Sequence, residues 1–175
     1  TMYFEVLPNS ALELALWLES DRMGYMLPTV TYDAFLNQQQ VVQNEKRQNY
    51  NNQPYGQTSY LIGKLLYPEG HPYNWTTIGA LEDLQNATLK DVHDFYTKWY
   101  GPNNATLVVA GDFDVEQTKE WIEKYFGEIK PSAPVTPLKP QLVQLETWKR
   151  ASYEDNFAQS PELTMLFPTV EQFTN

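Results

Sequence analysis

Residues 37–56 read NQQQVVQNEKRQNYNNQPYG, the most informative stretch of the chain. Gln38, Val42, Glu45 and Asn49 are spaced 4, 3 and 4 apart. A helix from Tyr32 to Tyr50 therefore puts all four on one face. That face is part apolar and part polar, which suits the wall of a site better than a core stripe. Asn51, Asn52, Gln53 and Pro54 end the helix. Taken alone, Glu45 in NEKR is an exposed helix glutamate, and Gln38 is an ordinary polar helix residue.

Working outward, helices alternate with short apolar runs. Upstream, Ser10 with Glu13 has capping-box spacing and predicts a helix over residues 12–23 that stops at Gly24 and Pro28. Its Leu, Ala and Trp residues run nearly all round, which predicts burial. Downstream, a helix is expected over residues 58–66, stopped by Pro68. Thr88 with Asp91 caps another, whose Leu89, Val92, Phe95, Tyr96 and Trp99 share helical spacing before Gly101-Pro102. Asp114 with Gln117 starts a last helix, with Val115, Thr118, Ile122 and Tyr125 inward and Gly127 as its stop. Strands are expected at residues 2–7, 106–110, 147–154 and 163–167, the second of them buried. Four prolines across residues 131–140 predict an extended linker. The expected fold class is α+β, a mainly antiparallel sheet with helices packed on one face.

At 175 residues and 42% hydrophobic, the chain is long and apolar enough for one globular domain. Its net charge of -10 argues against nucleic acid, which needs clustered basic residues. The absence of cysteine excludes disulfides and thiolate metal sites. No apolar run approaches the roughly 20 residues that span a bilayer. There is no G-x-S-x-G elbow, P-loop or dinucleotide fingerprint. His71 and His93 lie at no ligand spacing from one another, so neither is expected to hold a metal. Packing or pairing is the expected role of Arg22, Arg47, Tyr55 and Trp75.

Four segments, in order, resemble the pitrilysin/insulinase family of zinc metallopeptidases. They are PNSALELALWLESDRM (8–23), VVQNEKRQNYNNQPYG (41–56), HPYNWTTIG (71–79) with residues 81–84, and TLKDVHDFYTKWYGPNNATLVVAGDFD (88–114). In that family two zinc ligands and the catalytic base come from an upstream H-x-x-E-H helix. This chain has no such motif. The resemblance implies that Glu45, placed in V-V-x-N-E-[KR]-R, is the third zinc ligand. It further implies that Gln38, two turns earlier, supports the site by hydrogen bonding.

By the same resemblance, residues 1–175 form one truncated unit of the family's repeating domain. Residues 1–86 are the later part of the zinc-binding half. Residues 87–175 are the second half, incomplete at its C-terminal end. The function implied is that of a fragment of a zinc endopeptidase cleaving peptides enclosed in a clamshell chamber. Zinc is expected in the full-length protein and none on this fragment, which is expected to be inactive. The implied partners are peptide substrates and another copy or related unit that closes the chamber. One alternative is a non-catalytic partner subunit of the same family. A second is a peptide- or carbohydrate-binding module, suited by the many Trp, Tyr, Asn and Gln residues. The cysteine-free composition fits a bacterial periplasm or cell envelope, with the cytoplasm also open.

Overall fold

The Thr88–Asp91 pair is the clearest case of local sequence dictating structure. The Thr88 hydroxyl accepts from the Asp91 backbone N–H, while the Asp91 carboxylate accepts from the Thr88 backbone N–H at 2.8 Å. The Thr88 N–H thereby gains a partner, and the Asp91 N–H, which also reaches Thr88 O at 3.1 Å, gains a second acceptor. In the computed structural model, which describes residues 1–139 and 142–170, this box starts α5 (Leu89–Trp99). The other helices are α1 (Leu12–Tyr25), α2 (Tyr32–Lys46), α3 (Thr58–Leu66), α4 (Leu81–Asn86) and α6 (Val115–Phe126). One π-helical turn, Arg47–Asn51, continues α2. Asp114 caps α6 by accepting from the Gln117 N–H at 2.8 Å. Pro140 of the expected linker and residues 171–175 lie outside the described residues.

The chain divides into two units. The first comprises Thr1–Phe35 and Thr88–Pro137, and the second Leu36–Ala87 and Leu138–Asn175. In the first, α1 packs on α6, and Leu16, Ser20 and Thr118 are buried. Both buried hydroxyls are satisfied locally, Ser20 donating to Trp17 O and Thr118 to Asp114 O. Arg22 lies 3.9 Å from the centre of the Tyr3 ring and pairs with Glu19. The Tyr3 and Tyr100 hydroxyls are 3.0 Å apart, and the Tyr96 hydroxyl donates to Arg22 O. These contacts tie Tyr3 to Arg22 of α1 and to Tyr100, just past the end of α5.

In the second unit, the loop after α3 folds back on that helix. Asn74 accepts from Lys64 Nζ and donates to Tyr67 O, each at 2.6 Å. A Cβ on Gly63 would stand 2.9 Å from Tyr73 O, so glycine there permits the close approach.

Several expectations need correction. Among the described residues the chain is helical rather than α+β. Among the described residues there is no strand and no sheet. Residues 2–7, 106–110 and 163–167 make no backbone–backbone hydrogen bond there. An apolar run becomes a strand only if another segment pairs with its N–H and C=O groups. The run at 106–110 is also not buried, with Val108 78% exposed. α1 is less buried than its composition implied, because Leu14, Trp17 and Leu18 face outward. Its start is Ala11 rather than Ser10, since residues 9–11 already turn as a 3-10 helix with Ala11 N bonded to Pro8 O. Gly24 does not stop it. It packs against Ile129, whose Cγ1 would meet an added Cβ at 3.1 Å, and the helix ends at Tyr25. The only buried apolar side chains among the described residues are Leu16 and Phe35.

Candidate functional site

Glu45 is the penultimate residue of α2 and is exposed. Among the described residues its carboxylate makes no hydrogen bond and no ion pair, whereas Lys46 and Arg47 beside it are both engaged. Gln38, on the same face, is also exposed and without a partner among the described residues. No bond joins it to Glu45.

The helix changes character just after Glu45. Residues 47–51 form the π turn, closed by Asn52 N donating to Arg47 O at 2.9 Å. Single π turns inside helices recur at functional sites. The turn is abutted by Gly56, where an added Cβ would stand 1.8 Å from Tyr50 O. Tyr55 has φ 61°, the left-handed region that non-glycine residues seldom occupy. It is held there from both ends. Its N–H donates to Asp155 at 2.7 Å and its hydroxyl to Ser160 O at 2.8 Å.

Asp155 is the hub of this clasp. Its carboxylate accepts from the backbone N–H groups of Phe157, Tyr55 and Ala158 at 2.7, 2.7 and 3.0 Å. The bond from Phe157, with those from Tyr55 and Ala158, holds its pKa below the ordinary value of 3.8. A carboxylate lowered on folding stabilises the fold above its ordinary pKa, and that contribution is lost as pH falls through the lower folded value. Melting temperature should therefore drop as pH falls below about 4. Asp155→Asn should flatten that part of the profile, as followed by circular dichroism between pH 6 and 2. Equal acid sensitivity in both proteins would place the titrating group elsewhere.

The histidines are not near Glu45's role. His71 is buried, its Nδ1 accepts the Tyr73 N–H at 3.1 Å, and its ring stacks on Tyr67 at 4.6 Å. That nitrogen holds the loop rather than facing a ligand. His93 is half-buried on α5. Arg22 pairs with Glu19, Arg47 donates to Asn44 and Gln43, and Trp75 is 55% exposed. Among the described residues no three His, Cys, Asp or Glu side chains converge on one point. A carboxylate oxygen is a suitable zinc donor, but a zinc site takes three or four protein donors. The donor type fits, but the described residues do not bring together the three or four donors that a zinc site takes.

One feature beside Glu45 was not legible in the sequence. Gln39 Nε2 donates to Leu84 O, Ala87 O and Gln85 O at 2.7, 3.2 and 3.3 Å. Two turns later Lys46 Nζ donates to Gly79 O at 2.5 Å. The seven-residue spacing of Gln39 and Lys46 was the available signal. Their targets lie on α4 and its approach, and α4 itself was not expected.

Residues 86–175 match the family described as "Peptidase M16 inactive domain". The chain belongs to the peptidase M16 family, a family of zinc metallopeptidases, and the resemblance drawn from the four segments holds. It is 35% identical over 130 residues to the zinc protease PqqE of Helicobacter pylori, covering 74% of this chain and 29% of that protein. It is 29% identical over 77 residues to the mitochondrial-processing peptidase subunit beta of Saccharomyces cerevisiae, 44% of this chain and 16% of that one. The crystal structure of a protease from Helicobacter pylori superposes with a TM-score of 0.68 at 33% identity, over 75% of this chain and 31% of that chain. The chain thus spans less than a third of the length of these relatives. No helix among the described residues is long and apolar enough to cross a membrane.

Proposed function

We propose that these residues belong to a zinc-dependent endopeptidase that cleaves peptides enclosed between related units, and that Glu45 is one of its zinc ligands. The observation that carries this is the exposed Glu45 carboxylate, unengaged among the described residues at the end of α2, within VVQNEKR. A ligand needs at least one free lone pair, and the Glu45 carboxylate accepts no bond among the described residues. Bound zinc would polarise a peptide carbonyl and activate water. The remaining ligands and the general base would come from outside this chain. Residues 1–86 then supply the later part of the zinc-binding half, and residues 87–175 the second half. The cysteine-free composition supports assignment to a bacterial periplasm or cell envelope.

A non-catalytic partner subunit of the same family is the second reading, favoured by the description of the matched family as an inactive domain. A binding module built as a sandwich loses its footing, since the described residues contain no strand.

The isolated 175-residue chain tests the division of labour. Titration calorimetry with zinc should give no tight stoichiometric binding, and a mixed-peptide digest should show no cleavage. A sub-micromolar site abolished by His71→Ala or His93→Ala would overturn the assignment of the metal to Glu45 and ligands outside the chain.

A further inference from the structure

The direction in which Glu45 leaves α2 depends on how that helix is rotated about its axis, and in most helices a buried apolar stripe sets the rotation. From Leu36 onward α2 has no such stripe. Leu36 and Val42 are half-buried, and Val41 is 47% exposed. What α2 has is a polar edge. Gln39 and Lys46 are seven residues apart, within about 20° of each other around the helix. Both donate to the backbone of residues 79–87. The three carbonyls that Gln39 serves belong to the end of α4 and the residue after it, where a helix leaves acceptors without internal partners. Glu45 and Gln38 each precede one of these residues, about 100° around the helix. The edge that is tied down and the edge that carries Gln38 and the Glu45 carboxylate are thus roughly a quarter turn apart.

We propose that Gln39 and Lys46 are positioning residues that fix the rotation of α2 and thereby aim the Glu45 carboxylate. This rests on Glu45 being a zinc ligand. The two donors touch neither substrate nor metal. They act through the helix, with the 79–87 backbone as the fixed rail. Gln39 holds the helix two turns before Glu45 and Lys46 holds it one residue after, so the ligand lies within the span tied at both ends.

The test uses the full-length protein and zinc alone as probe, with chelator competition for the dissociation constant and amide hydrogen exchange over residues 81–88. Gln39→Ala and Lys46→Ala should each weaken zinc binding about 10-fold, the scale on which supports behind a metal ligand act. Gln39→Lys, whose ammonium donates to the same carbonyls, should recover most of that loss. Glu45→Gln is run beside them. Zinc retained in Glu45→Gln overturns the ligand assignment itself. Zinc lost there but held within twofold in both Gln39→Ala and Lys46→Ala, with residues 81–88 freed to exchange, overturns the positioning role alone. Failure of Gln39→Lys to restore affinity while it restores exchange protection does the same. If Gln39→Ala lowers the fold's melting point too far to measure, Lys46→Ala carries the comparison.

Discussion

If Glu45 is a zinc ligand as proposed, Glu45→Gln in the full-length protein is expected to abolish zinc binding and the proposed peptidase activity while the fold survives. Glutamine keeps the length of the side chain and suits a helix as well as glutamate does. Glu45 is exposed and has no partner among the described residues, so the substitution breaks no contact there. What it removes is the negative charge that a zinc ligand contributes. Changes behind a ligand cost about 10- to 100-fold in affinity, and loss of the ligand itself should exceed about 100-fold. Zinc content by emission spectroscopy, cleavage of a peptide substrate and thermal melting together read the outcome. Full zinc occupancy with normal turnover would return Glu45 to the status of a surface residue.

Gly56→Ala should have the largest effect on stability. The added Cβ would stand 1.8 Å from Tyr50 O and 2.8 Å from Tyr50 C, both backbone atoms. No rotamer change relieves such an overlap. Either the π turn opens, breaking the Asn52–Arg47 bond, or Tyr55 and Gly56 withdraw and pull on the bonds to Asp155 and Ser160. Overpacking of this kind costs about 1–3 kcal/mol and at times more, and here the upper end is expected because the obstacle is main chain. Urea midpoints would measure it. A change below about 0.5 kcal/mol, the range of ordinary surface substitutions, would mean that the exit from the helix is free to rearrange.

Where a helix boundary is written in adjacent residues, the sequence was sufficient. The Thr88–Asp91 box and the Asp114 cap both come from side chains within a few positions of each other. Where the outcome depends on a distant segment, it was not. Residues 106–110 have the composition of a buried strand, but composition does not say whether another segment lies alongside. The π turn after Lys46 is bound up with Gly56 pressing on Tyr50 and with Asp155 a hundred positions further on. Gln38 drew attention because it shares a face with Glu45. Gln39 beside it makes the bonds, and it could not be singled out while α4 was unforeseen.

The scarcity of buried apolar side chains has a thermodynamic consequence. The heat capacity change of unfolding and the slope of stability against urea both scale with the surface newly wetted. Leu16 and Phe35 are the only apolar side chains fully buried among the described residues, and the other apolar contacts are made by half-buried side chains that already meet water in part. Taken by itself, this chain should show a smaller heat capacity change and urea slope than its length alone would give. Salt, denaturant and temperature would then act on it mainly through its hydrogen-bonded clasps and caps.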